Sequence, residues 1–211
     1  MTLHVRPAQP DDVPAAADVL ADAFADHPWT RWTVGADAHA QRLTRLFRLD
    51  LGTIALPYGH VDIGTTPEGP ATVAVWLPGA AVPGDVWAEV GAASVELAGS
   101  RAAAAAAAEA VLAPRRSSEE HLLLASVGVV RHLQGRGLGT ATLAPGLDRA
   151  DREGLPVRLE TSAEATVHLY RRLGFAVTDV VDPPDGGPRT WLMRRGSCGT
   201  RRSRAPEDGA P

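Results

Sequence analysis

Lysine is absent from this 211-residue chain, so all 21 of its basic residues are arginine. That excludes Schiff-base chemistry on a lysine amine, and it excludes a Walker-type loop, whose lysine grips the phosphates. Cysteine occurs once, as Cys198 in a polar tail, which rules out an internal disulfide. No apolar run approaches membrane-spanning length, and no charged-then-apolar leader opens the chain. These absences point to a reducing, cytoplasmic setting. His121 and His132 stand in no ligand spacing with a cysteine or carboxylate cluster, so no metal is expected. The net charge of −4 offers no electrostatic attraction to nucleic acid or to an anionic membrane.

What is present is an ordinary globular composition, 45% hydrophobic and 22% charged, in a length that suits one domain better than two. Leu3 to Arg6 alternates as a short strand. Pro10-Asp11-Asp12-Val13-Pro14 then reads as a helix start, with carboxylates near the positive end of the dipole. Val13, Ala17, Leu20 and Phe24 form one face of that helix. "ADHPWTRW" reads as a bulky irregular segment. A second helix follows from about Asp37 to Leu56, with Leu43, Leu46, Phe47, Leu51 and Ile54 inward.

The period then falls to two, and "HVDIGT" and "ATVAVWLP" form a hairpin around Thr66-Pro67-Glu68-Gly69-Pro70. Gly84 to Ala113 reads as helical, helped by an alanine run that favours helix whatever its function. "HLLLASVGVV" is a β run without alternation, expected to be buried on both faces. Beyond a glycine turn come a helix to about Arg152, the strand "PVRLETS", and a helix from Ala163 to Leu173 ended by Gly174. "FAVTDVV" and "RTWLMRR" close the pattern as a strand pair. The order predicts an α/β fold, a mixed sheet with helices on its faces, in one domain over residues 1–195. Residues 196–211 hold no anchoring apolar side chain and are expected to be a disordered tail.

The glycine turn runs from Gln134 through Gly135, Arg136, Gly137, Leu138 and Gly139 to Thr140. A dinucleotide fingerprint needs G-x-G-x-x-G, and the third glycine here is misplaced. A Walker loop needs the missing lysine. The remaining reading is the pyrophosphate loop Q/R-x-x-G-x-G/A of acyl-CoA-dependent N-acetyltransferases, which Gln134, Gly137 and Gly139 satisfy. Backbone N–H groups at a helix N-terminus bind a pyrophosphate, and glycines allow the close approach. Arg136 adds positive charge at the edge of the loop. The bland alternative is a tight turn that binds nothing.

Downstream, "LETSAEATVHLYRRLGF" places a helical L-Y ahead of G-F. With the loop, this segment resembles the GNAT acetyltransferase superfamily in order and in spacing. The resemblance implies the GNAT fold and acetyl-CoA as cosubstrate. It also implies a strand "LASVGVV" that splays from its neighbour and pairs its backbone, at Val127 and Val129, with the pantetheine arm. Tyr170 is then implied as the acid that protonates the departing thiolate. "AFADHPWTR", "VAVW", "AEVG", "LAPRR", "LETSA", "YRRLGF" and "GPRTWLM" further resemble the puromycin N-acetyltransferases, in register from Arg6 to Arg194. That likeness implies an aminonucleoside antibiotic, or a similar amine, as acceptor. His27 stands where that group has tyrosine, Thr166 where it has asparagine, and Arg131 and His168 where prolines are usual.

Glu160, at the end of its strand, is the candidate base through water, with an ion-pair or capping role as the alternative. A backbone N–H near Val129 would meet the oxyanion. His27 belongs to the expected acceptor pocket, and Trp29, Trp32 and Trp87 suit the walls of a flat aromatic acceptor, or else are plain core. The rival functions are acetylation of another small amine or amino acid, and a non-catalytic acyl-CoA sensor that would keep the loop and dispense with Tyr170. Monomer and homodimer are both compatible with these residues.

Overall fold

The computed structural model describes residues 2–79 and 82–197. Cys198 and the remainder of the expected tail lie outside the described residues. Seven strands form one mixed sheet in the order β1-β2-β3-β4-β5-β7-β6. They are β1 (His4–Pro7), β2 (His60–Thr66), β3 (Gly69–Pro78), β4 (Leu122–Val129), β5 (Val157–Thr161), β6 (Ala176–Val181) and β7 (Thr190–Arg195). The helices are α1 (Val13–Phe24), α2 (Pro28–Thr33), α3 (His39–Asp50), α4 (Leu56–Tyr58), α5 (Gly84–Ala98), α6 (Ala102–Leu112), α7 (Leu138–Glu153) and α8 (Glu164–Arg172).

Alternation along β3 builds two cores. Val73, Val75 and Leu77 face α1, where they pack with Ala17, Leu20, Leu51 and Ile54. Ala74 and Trp76 face α7 and α8, where Leu143, Leu147, Val167, Tyr170 and Phe175 complete a second core. Gly146 of α7 sits against the Trp76 ring, where a Cβ would collide, so the indole lies flush with the helix. The Trp76 Nε1–H donates to the buried Asp62 carboxylate at 3.0 Å, which satisfies both groups.

Most expected elements form, and three differ. "ADHPWTRW" contains the short helix α2 rather than an irregular segment. Pro28 stands at its first turn, and His27 Nδ1 accepts the Trp29 N–H at 3.3 Å as a cap. The stretch from Gly84 divides into α5 and α6 at Gly99, which takes φ of +59°. The guanidinium of Arg42 fills the break and donates to the carbonyls of Leu97 (3.0 Å) and Glu96 (3.3 Å). β4 is not buried on both faces along its length, since Ala125 is exposed. The cause is the sheet itself, which opens beside this residue.

Candidate active site

β4 and β5 run parallel, but only Leu122–Val157 and Leu123–Arg158 are in register. Beyond them β4 continues to Val129 with no partner on that side. A bulge at Ala125, between the pairs Val75–Ser126 and Trp76–Leu124, turns the strand where the gap begins. The Val130 N–H donates to Ala71 on β3 at 2.9 Å. Alternation therefore turns the backbone groups of Val127 and Val129 to the open edge. Gln134 Nε2 donates to the Val129 carbonyl at 3.0 Å, so the loop is tied to the strand that leads into it. Arg131 anchors the same corner to α1. Its backbone N–H and its Nε meet Asp22 at 2.7 and 3.0 Å, and its Nη1 meets Asp26 at 3.0 Å.

Gly135 and Gly137 adopt φ of +76° and +78°, which a side chain makes costly. A Cβ on either would touch nothing in the protein, so the glycines serve conformation and leave the space above the loop clear. Gly137 caps α7, and the first intrahelical bond is Ala141 N–H to the Gly137 carbonyl. The N–H groups of Leu138, Gly139 and Thr140 are thus left without intrahelical acceptors at the positive end of a 16-residue helix. This donor set fits a pyrophosphate, and the unpaired β4 edge fits an extended amide-bearing chain.

Tyr170 is buried on the α8 side, edge-to-face with Phe175 at 5.6 Å between centroids. Burial pushes its phenol above the ordinary tyrosine range, so the hydroxyl keeps its proton at neutral pH. On the opposite face of the sheet two adjoining cavities, of about 850 and 480 Å³, reach β4 at Ala125 and Ser126. Glu160 lines both, but both its oxygens engage Arg116, at 2.8 Å to Nε and 3.2 Å to Nη2. Arg116 also holds Glu109. Burial alone would lower the Arg116 guanidinium, and the hydrogen bonds to Glu160 and Glu109 outweigh it, so it stays charged.

The proposed acceptor residues separate. His27 and Trp29 line the smaller cavity and Trp87 the larger, half exposed at 49%. Burial lowers the His27 imidazole, which suits its role as the neutral acceptor of the Trp29 N–H. Trp32 lines neither cavity. Its carbonyl accepts from Arg101 Nε at 2.5 Å, and that guanidinium lies 5.9 Å from the ring centre. Thr166, standing where asparagine is usual, bonds the Ala163 carbonyl and Thr161 Oγ1, each at 2.7 Å, and so secures the start of α8.

Asp50 was not expected from the sequence, yet it lines both cavities. It ends α3 where five residues, Leu51–Ala55, continue as a π-helical turn, a feature that recurs at functional sites. Burial pushes its carboxyl up to about 6. The signal was present in the sequence. Asp50 falls four residues after Leu46 and three after Phe47, on the inward stripe of α3.

Residues 90–175 match the model of the acetyltransferase (GNAT) family. The structure superposes on an acetyltransferase of Corynebacterium glutamicum, described as histone acetyltransferase HPA2 and related acetyltransferase. The TM-score is 0.73 at 26% identity, over 95% of this chain and 99% of that one. The chain has the fold of the GNAT acetyltransferases. GNAT enzymes use acetyl-CoA as cosubstrate, and the glycine turn and open strand of this chain suit that molecule. The same fold occurs in the ribosomal-protein-S18-alanine N-acetyltransferase of Escherichia coli (TM-score 0.55, 18% identity, 95% and 98% covered). It occurs also in a Drosophila melanogaster polyamine N-acetyltransferase (TM-score 0.58, 16% identity, 92% and 100% covered). Histone, protein-alanine and polyamine acceptors are named for these proteins, so the GNAT fold does not by itself set the acceptor. Among the described residues no helix is long and apolar enough to cross a membrane.

Proposed function

We propose that this protein transfers the acetyl group of acetyl-CoA to the primary amine of a small molecule, with puromycin-like aminonucleosides as the leading acceptor class and detoxification as the role. The observation that carries the reading is the open β4 edge. It runs from the glycine turn to Ala125 and Ser126, where the two cavities begin. A thioester lying along that edge would meet an amine held in the cavities. The motifs shared with the puromycin N-acetyltransferases, and the indoles of Trp29 and Trp87 in the cavity walls, support a flat aromatic acceptor.

In this reading Gln134 to Thr140 hold the pyrophosphate, with Arg136 at the rim, and Val127 and Val129 pair with the pantetheine arm. An aminoacyl α-amine has a pKa near ~7.7–8.0, so part of it is neutral at cellular pH and positioning supplies much of the catalysis. Its attack on the thioester carbonyl produces an oxyanion that a backbone N–H of β4 stabilises. Tyr170 gives its proton to the leaving thiolate. The Arg116 clamp on Glu160 favours an anchoring role over that of a base. The test is to mix purified protein, acetyl-CoA and an amine panel led by puromycin, and to follow release of free CoA thiol. Rapid release with puromycin is the expected result; release only with other amines moves the acceptor.

A further inference from the structure

The ionisable groups that line the two cavities divide by whether they have partners. Arg116 lies between Glu109 and Glu160. Arg115 pairs with Asp179 at 3.3 Å and Arg158 with Glu119 at 3.0 Å. His121 Nδ1 lies 2.6 Å from the Glu119 carbonyl, and His27 Nδ1 takes the Trp29 N–H. Asp50 differs from all of these: among the described residues its side chain makes no hydrogen bond and no ion pair, and desolvation alone shifts its titration. A carboxylate desolvated without a partner weakens the fold, and a cation entering the cavity would remove that penalty. The walls around it are apolar, from Leu20, Phe47, Ile54, Leu77 and Trp87.

We propose that Asp50 receives the acceptor as its ammonium ion and takes the proton that must leave before acyl transfer, and that it thereby selects a monoamine carried on an apolar, aromatic body. The inference rests on the small-amine reading above and narrows it. One free carboxylate matches one positive charge, whereas the second cation of a polyamine would approach Arg115, Arg116 and Arg158. The chemistry balances. Asp50 accepts one proton from the ammonium, and the freed lone pair forms the C–N bond at the thioester carbonyl. The C–S bond then breaks, and Tyr170 protonates the thiolate. The second N–H proton returns through water to the phenolate, and Asp50 releases its own to solvent. One amide, one CoA thiol and one proton result.

The experiment follows thiol release from acetyl-CoA with puromycin, phenethylamine and spermidine, using wild-type protein and Asp50→Asn. The wild type should prefer the aryl amines, and D50N should lower their kcat/KM by ~10²-fold. Its Kd for acetyl-CoA should stay unchanged, which checks that it folds. The pH profile separates a proton acceptor from a structural residue. With a bound ammonium, wild-type kcat/KM is flat from the amine's own pKa down to about 6, then falls. In D50N only neutral amine reacts, so the fall begins at the amine's own pKa. Asp50→Glu should restore part of the plateau.

A wild-type profile that falls from the amine's own pKa overturns the proposal even if no variant folds. So does a D50N enzyme with unchanged kinetics, a preference for spermidine, or failure of both aryl amines. Asp50-dependent turnover of phenethylamine without puromycin would keep this inference and remove the aminonucleoside reading. Puromycin turnover indifferent to D50N would do the reverse.

Discussion

The two sides of the opening between β4 and β5 are made of different material. On the side of the glycine turn the features are backbone: the left-handed φ of Gly135 and Gly137, the free N–H groups that begin α7, and the unpaired edge at Val127 and Val129. On the cavity side they are side chains drawn from α3, α5, α6, β4 and β5, among them Asp50, Trp87, Glu109, Ser126 and Glu160. A backbone site of the kind proposed for acetyl-CoA would read what every acyl-CoA shares, so its geometry can be common to many proteins. A side-chain site can change one residue at a time, and that freedom is what lets one fold serve different amines.

The largest effect is expected from Gly137→Val. Valine is strained at φ +78° and its methyls would enter the cleared space above the loop, so acetyl-CoA should bind at least ~10²-fold more weakly by calorimetry. Normal affinity would remove the loop from the cofactor site. Next, Tyr170→Phe should lower kcat by ~10²-fold and leave the acetyl-CoA Kd alone, as read by single-turnover kinetics. Unchanged turnover would leave Tyr170 as a core aromatic only.

A smaller effect reports on the cavity side without any substrate. The folded-state value of about 6 for Asp50 lies above the usual unfolded value. Ionisation therefore costs stability fully above pH ~6, and the cost fades as pH falls towards ~4. Asp50→Asn should raise Tm at neutral and alkaline pH, with the gain shrinking to nothing in acid. A gain equal at both extremes would show that Asp50 is not desolvated. The smallest change is expected from Glu160→Gln. Arg116 keeps Glu109, and the pair is partly exposed, so kcat/KM should drop less than ~10-fold. A larger loss with a shifted pH profile would return Glu160 to the role of base.

Much of the fold was legible along the chain because its signals are local. Period-two runs marked β2 and β3, apolar spacing marked α1 and α3, and Gly174, with φ of +88°, marked the end of α8. The misread stretches depend on distant groups. The break between α5 and α6 is completed by Arg42 from another helix, and the exposure of Ala125 follows from where β5 stops pairing. The loop and the tyrosine proposed for the reaction, Tyr170, were readable as motifs. Trp32 was proposed with Trp29 and Trp87 as a wall for a flat aromatic acceptor, yet it lines neither cavity and is plain core, the alternative reading. Asp50 went unnoticed although its place on an apolar stripe was readable, since a single polar residue on such a stripe can also sit at the rim.

Local sequence dictated the conformations that belong to single residues and short spacings: glycine at positive φ in the turn before α7, and the periods of strand and helix. Packing in three dimensions set which carboxylates are neutralised and, among the described residues, which side chain stands without a partner. Glu160 and Arg116 are 44 residues apart, and Asp50 and Ser126 further still. Whether such groups meet depends on how the sheet opens and how the helices close over it, because electrostatic and desolvation energies follow distance in space rather than along the chain.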